Sequence, residues 1–131
     1  MDNQLNISSL INALKTLQVS LESPPKNDLE RDGVIQRFEH TLEMSWKIIR
    51  KTLLQLGRTE VNNSPKPLFK SAYEEGFIDD VSAWLDFVDA KNKTSHDYSL
   101  TKADQVYQAA QKFPPYVEHL ILQLKKLVDS K

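Results

Sequence analysis

One long run of regularly spaced apolar residues limits the folds open to this chain more than any other feature. Between residues 35 and 56 the apolar side chains recur at steps of three or four, at Ile35, Phe38, Leu42, Trp46, Ile49, Leu53 and Leu56. A mean spacing of about 3.5 residues is typical of a long helix nearly aligned with its neighbours. Asn27 or Asp28 suits the start of this helix and Gly57 its end. We therefore expect an amphipathic helix to form the spine of the fold.

The rest of the sequence also has a helical period and shows no sustained strand-like alternation. It predicts a helix over about residues 4–22, a short one from Pro65 to Glu75, one capped by Asp79 or Asp80 that frays near Asn92, and a last one after a capping box at Thr101–Asp104. Pro114-Pro115 should kink or briefly break the last helix. We predict an all-α, antiparallel four-helix up-and-down bundle with an extra short connecting helix, as one domain over residues 1–131. Trp46 and Trp84 lie on the apolar phase, which favours the core for both.

Composition excludes several classes of protein. There is no cysteine, so thiolate nucleophiles and cysteine metal sites are absent. His40 and Glu43 form a single isolated pair, so we expect no metal site and no cofactor. A net charge of −1 argues against a general nucleic-acid binder but leaves room for a local basic pocket. No stretch is apolar enough to span a membrane, and the start does not resemble a signal peptide, so we expect a cytoplasmic protein.

Residues 89–99, predicted to be a loop, contain the best candidates for chemistry. A cation, an amide, an imidazole and a phenol follow within eight residues, at Lys91, Asn92, His96 and Tyr98. In a purely structural interpretation, the lysine complements a helix dipole, Asn92 caps a helix and Tyr98 anchors the loop. In a functional interpretation, a histidine that titrates near neutral pH serves as an acid or a base beside a cation.

Two blocks of sequence carry a resemblance to a known family. The first runs from Asp32-Gly33-Val34-Ile35-Gln36-Arg37-Phe38-Glu39 through Leu42-Glu43 and Trp46-Lys47 to Gly57. The second runs from Ser64-Pro65 through Gly76-Phe77-Ile78 and Trp84 to Asn92-Lys93-Thr94-Ser95-His96-Asp97-Tyr98. In this order and spacing they resemble the nucleotidyltransferase substrate-binding protein family, in the HepT-like branch of the HEPN superfamily. The resemblance implies a four-helix bundle, usually a homodimer, with a separate minimal nucleotidyltransferase as its partner.

The resemblance implies two alternative functions. In one, the chain is a non-catalytic substrate-binding subunit of the nucleotidyltransferase, in a two-component or toxin-antitoxin type of system. In the other, it is a metal-independent ribonuclease toxin with the motif Arg, four residues, His, one residue, Tyr. His96 and Tyr98 match that motif, Asn92 matches a common polar position, and Lys91 replaces the arginine. Lysine keeps the charge but lacks the planar bidentate fork. Tyr98 would be the residue that the partner adenylylates.

The polar face of the long helix is a further candidate site. Arg37, Glu39, Glu43 and Lys47 would line a groove for a nucleotide or the partner chain. For the protein as a whole we expect a nucleotide or an RNA as ligand. The alternative is a solvated face whose ion pairs contribute a few tenths of a kcal/mol each.

Overall fold

All the regular structure in the described part of the chain is helical. A computed structural model describes residues 6–96 and 100–129, apart from the side chains of residues 94–96. Within these ranges the chain forms six helices and no strand: α1 (Ser8–Ser20), α2 (Asp28–Gln55), α3 (Pro65–Glu74), α4 (Val81–His96), α5 (Leu100–Lys112) and α6 (Pro114–Asp129). The predicted all-α class is therefore confirmed.

The boundaries of α2 follow from local chemistry. At its start, the Glu30 amide donates to Asn27 Oδ1 at 2.9 Å, and the Lys26 amide donates to the Glu30 carboxylate at 2.8 Å. This reciprocal arrangement satisfies amides that have no partner within the helix. Beyond its end, Gly57 has a φ of +89°, a conformation that glycine adopts without steric cost. The sequence predicted both ends.

Apolar side chains from all six helices meet in one core. Fully buried members include Leu17 of α1, Ile49 of α2, Leu68 of α3, Val106 of α5 and Leu124 of α6. Trp84 of α4 lies among aromatic rings, with its centroid 4.8 Å from that of Phe69 and 5.3 Å from that of Phe113. Stacked and edge-to-face pairs of this kind add to the stability from burial alone.

The last predicted helix is two helices separated by Phe113 alone. The prolines occupy the first two positions of α6, where a missing amide hydrogen removes no helical bond. The buried faces of α5 and α6 belong to the same core, as the continuous apolar phase predicted. Phe113 itself is fully buried. The centroid of its ring lies 4.8 Å from that of Phe87 and 5.0 Å from that of Phe38.

Two local predictions were wrong. The helix that should fray near Asn92 continues to His96, so residues 89–96 are helical and not a loop. No glycine or proline interrupts this stretch, and Ala90 is buried, so nothing there terminates the helix. Thr101 was expected to cap the next helix, but it lies inside α5, which includes Leu100.

A buried arginine joins the first turns of α2 and α5. Arg31 is 8% exposed and its guanidinium lies 3.1 Å from Asp32, 3.4 Å from Asp28 and 3.4 Å from Asp104. Because Asp104 belongs to α5, these contacts hold the starts of both helices together.

Candidate functional site

The middle of α2, the start of α3 and the end of α4 enclose an open cleft. Its volume is about 510 Å³, within the range of small-molecule sites in proteins. Each of the three elements supplies polar and apolar groups, and the lining residues are Glu39, Leu42, Glu43, Trp46, Ser64, Pro65, Lys66, Pro67, Val88, Lys91 and Asn92.

One wall of the cleft is a stripe along α2. Glu39, Glu43 and Trp46 follow at intervals of four and three residues, which places them on one face of the helix. Lys47 lies beside this wall, with its Nζ 3.0 Å from the Glu43 carboxylate and 6.0 Å from the Trp46 ring centroid. Trp46 packs against the edge of the core and is only partly buried. The expectation of a core position holds for Trp84 and only in part for Trp46.

The opposite wall comes from α3 and α4. Lys66, in the first turn of α3, reaches across to Asp89 of α4 with a distance of 2.6 Å between Nζ and Oδ1. Lys91 and Asn92 follow on α4 and are exposed. Pro65 and Pro67 are also in the first turn of α3, where the fixed φ of proline suits the start of a helix. This short helix therefore brings a second lysine into the cleft that Lys91 lines.

The structure brings together four of the predicted site residues and separates others. Glu39, Glu43, Lys91 and Asn92 line the same cleft. Arg37 does not line it, because it lies two positions before Glu39 and therefore about 200° around the helix. Its guanidinium donates instead to the Gly33 carbonyl at 3.0 Å.

The other predicted residues lie at the margin of the cleft or beyond the described side chains. Lys47 contacts the cleft wall through Glu43. His96 is the last residue of α4, one turn after Asn92, but its side chain lies outside the described residues, as does all of Tyr98.

Lys66 is a site residue that the sequence pattern did not reveal. It lies 25 positions before Lys91 in the chain, and only the packing of α3 on α4 makes the two neighbours in one cleft. The available signal was Ser64-Pro65-Lys66-Pro67, a helix start that carries a cation where a helix dipole does not favour one.

Metal-ligand clusters and membrane spans are both absent from the described part of the chain. Among residues 6–96 and 100–129, no three His, Asp or Glu side chains converge as metal ligands. None of the helices in those ranges combines the length and apolar character needed to cross a bilayer.

Comparison with known families identifies the kind of protein that carries this cleft. A family model described as nucleotidyltransferase substrate binding protein like matches residues 5–126. The chain belongs to this family. A curated relative, the probable ribonuclease HepT of Haemophilus influenzae, is 32% identical over 100 residues, which are 72% of this chain and 66% of the relative. The match thus spans just under two thirds of the relative's length.

Two solved structures have the same fold. One, from Haemophilus influenzae, is described as revealing the fold of a substrate binding domain of a nucleotidyltransferase. It superposes with a TM-score of 0.79 and 28% identity over 92% of this chain and 99% of its own. The other, a crystal structure of a Thermus thermophilus protein, gives a TM-score of 0.76 and 27% identity over 88% of this chain and 98% of its own.

Proposed function

We propose that this chain is a metal-independent ribonuclease of the HepT type whose activity a separate minimal nucleotidyltransferase controls. One observation carries the proposal: the relative that matches 72% of the chain is named a probable ribonuclease HepT, and this chain carries Lys91, His96 and Tyr98 in the order of the ribonuclease motif. The structure adds that Lys91 and Asn92 lie on the wall of a ligand-sized cleft.

The chemistry needs a base, an acid and a positive charge. His96 takes the proton of a ribose 2′-hydroxyl, whose oxygen attacks the adjacent phosphorus while the bond from phosphorus to the 5′-oxygen breaks. The protonated His96 or a water molecule then supplies the proton that the departing 5′-oxygen receives. The products are a 2′,3′-cyclic phosphate and a free 5′-hydroxyl end. Lys91 stabilises the charge that develops on the phosphorane oxygens, and Asn92 donates hydrogen bonds from its amide.

Because position 91 is a lysine and not an arginine, we expect a lower rate of RNA cleavage. An arginine would make two parallel hydrogen bonds to a phosphate, whereas an ammonium group acts as a point charge. We therefore expect slow cleavage by the natural protein and faster cleavage by Lys91→Arg.

Cleavage of a labelled single-stranded RNA in EDTA tests this function. We expect the wild type to cleave, Lys91→Arg to cleave faster and His96→Ala to be inactive. Lys125→Ala, which removes an exposed lysine on α6, is the matched control and should cleave like the wild type. Equal rates for wild type and His96→Ala would refute the proposal, as would no cleavage by either wild type or Lys91→Arg.

A second candidate function is favoured by the family description and by one structural neighbour, both of which refer to substrate binding for a nucleotidyltransferase. In this proposal the chain is a non-catalytic subunit, a homodimer in the cytoplasm, and the cleft presents the substrate to the partner enzyme. Co-expression with a minimal nucleotidyltransferase encoded nearby should yield one co-purifying complex. Two separate elution peaks at micromolar concentration would argue against it.

The two functions are joined if the partner modifies this chain. Tyr98 is the proposed acceptor of an adenylyl group, which would add negative charge close in sequence to Lys91 and Lys93. Intact-mass spectrometry after incubation with the partner and ATP should show one adenylyl addition to the wild type and none to Tyr98→Phe. An addition that persists in Tyr98→Phe would assign the modification to another residue.

A further inference from the structure

The two walls of the cleft differ in chemistry, and this difference points to a ligand with two unlike ends. The α2 wall carries two carboxylates and an indole, from Glu39, Glu43 and Trp46. The facing wall carries two ammonium groups, from Lys66 and Lys91. A ligand that fits both walls has a flat aromatic part rich in hydrogen-bond donors at one end and negative charge at the other.

We propose that the cleft binds a guanine nucleotide, with the base on the α2 wall and the phosphate on the α3–α4 wall. The inference deepens the proposed function and rests on it in one respect: in a ribonuclease, this nucleotide is part of the RNA and determines which base is held next to the cleaved bond.

The indole of Trp46 is the stacking surface. The side chain is partly buried against the core, which fixes its orientation, and it also lines the cleft. The flexible Lys47 side chain, whose Nζ lies 6.0 Å from the ring centroid, would move aside for the base. Base–aromatic stacking is favourable for every base, so this contact supplies affinity without selectivity. Trp84 cannot do the same, because it is 1% exposed.

The two carboxylates supply the selectivity. Ionised carboxylates only accept hydrogen bonds. The Watson–Crick edge of guanine presents two adjacent donors, the N1–H and the N2 amino group, which match the two oxygens of one carboxylate. Adenine and cytosine each present one amino group next to a bare acceptor nitrogen, which would face the carboxylate unfavourably. Uracil presents one imino donor between two carbonyl oxygens.

Lys47 does not prevent this recognition. It pairs with Glu43 at 3.0 Å, but the two side chains are 52% and 49% exposed. Ion pairs between exposed residues one helical turn apart are weak. A base whose donors are held in place by stacking can therefore replace the lysine at one carboxylate oxygen.

Lys66 and Lys91 hold the phosphate. They come from different helices and line the cleft together, and Lys66 is 46% exposed although it pairs with Asp89. A phosphate placed between them gains charge-assisted hydrogen bonds from both. His96, the last residue of α4, follows Lys91 by five positions on the same helix.

Tryptophan fluorescence measures this binding directly, with the four nucleoside 5′-monophosphates as probes. GMP should quench the emission of Trp46, and AMP, CMP and UMP should bind at least about tenfold more weakly. Trp46→Phe should abolish the response, because the emission of buried Trp84 then remains as an unquenched reference. No quenching by GMP at millimolar concentration, or equal affinity for all four nucleotides, would overturn the inference.

Variants of the acidic wall separate selectivity from affinity. Glu39→Gln combined with Glu43→Gln should reduce the preference for GMP over AMP to about twofold, because GMP loses its acceptors and the acceptor nitrogen of adenine no longer faces a carboxylate. Glu22→Gln, at an exposed acid just after α1, is the matched control and should keep the full preference. A full preference retained by the double variant would overturn the assignment of these carboxylates.

Nucleotide binding and RNA cleavage, measured side by side, distinguish the guanine site from the proposed ribonuclease activity. RNA oligonucleotides with one guanosine at a defined position, run beside the mononucleotides, give a separate readout. Cleavage that depends on His96 without GMP quenching would refute the guanine site and support the ribonuclease. GMP quenching without any cleavage by wild type or Lys91→Arg would support the guanine site and refute the ribonuclease.

Discussion

The two tryptophans of this protein lie on the same apolar phase of the sequence but in different environments. Trp84 of α4 is 1% exposed and lies within ring-to-ring distance of Phe69, Phe87 and Phe113. Trp46 of α2 packs on the edge of the core and also lines the cleft. Periodicity therefore indicated which side of each helix faces inward, but not whether a neighbouring helix covers that side completely.

The same contrast between an enclosed and an exposed side chain holds for two cations, Arg31 and Lys66. The Arg31 side chain is 9% exposed and has three carboxylates around it, whereas that of Lys66 is 46% exposed and pairs with Asp89 at 2.6 Å. Buried side chains should contribute most to the free energy of unfolding, whereas exposed side chains should contribute mainly to ligand binding. The following four measurements test this division.

The largest expected effect is that of Trp84→Ala. Removing a fully buried indole should lower the free energy of unfolding by about 3–5 kcal/mol, through lost burial and the cavity left behind. Urea denaturation followed by circular dichroism measures it. Trp84→Phe is the control, because it keeps an aromatic ring and should cost much less. A loss below about 1 kcal/mol for the alanine variant would mean that the site is not enclosed.

The next effect is that of Arg31→Ala. It removes the packing of a buried side chain and charged hydrogen bonds that join α2 to α5, and should cost about 2–3 kcal/mol. The remaining carboxylates are 43–73% exposed, so they stay hydrated and add little further penalty. Arg37→Ala on the same helix, at an exposed arginine, should stay within about 0.5 kcal/mol of the wild type. Equal losses in the two variants would contradict the contrast.

A smaller effect is expected for Trp46→Ala, at about 1–2 kcal/mol, because part of the indole already faces solvent. Water from the cleft can also enter the space left behind, so no dry cavity forms. The same denaturation experiment measures it. A loss as large as that of Trp84→Ala would show that the ring supports the core and not the cleft.

The smallest effect is the coupling between Lys66 and Asp89. A double-mutant cycle with Lys66→Ala and Asp89→Ala should give an interaction energy of about 0.2–1 kcal/mol. Because the pair is exposed, the coupling should fall as salt is added. A coupling that exceeds this range and does not depend on salt would indicate a buried, structural pair.

The sequence predicted elements that local chemistry determines. Both ends of α2 and the interruption near Pro114 follow from Asn27, Gly57 and the prolines, whose effects act within a few residues. The start of α4 is also determined locally, because the Ala83 amide donates to the Asp80 carboxylate at 3.0 Å. The end of α4 was mispredicted, because Asn92 disfavours a helix only weakly and the helix continued through it.

The candidate site was less predictable because it depends on packing between distant segments. Glu39 and Glu43 are one turn apart on α2, so the sequence could place them together. The presence of Lys66 and Lys91 in one cleft depends on how α3 packs on α4, which no local pattern specifies. The exclusion of Arg37 from the cleft follows from helix periodicity, because it lies two positions before Glu39 and therefore about 200° around α2.

The junction at Phe113 has a consequence for motion in this family member. A one-residue link between two helices can act as a hinge. Here the linking residue is Phe113, and its buried side chain holds the link in place. Any pivot between α5 and α6 would have to pull the Phe113 ring from between Phe38 and Phe87. We therefore expect the backbone of α5 and α6 to stay rigid when a ligand binds. Phe69 holds α3 against Trp84 in the same way, so adaptation should come from the exposed side chains of the cleft walls, such as Lys66.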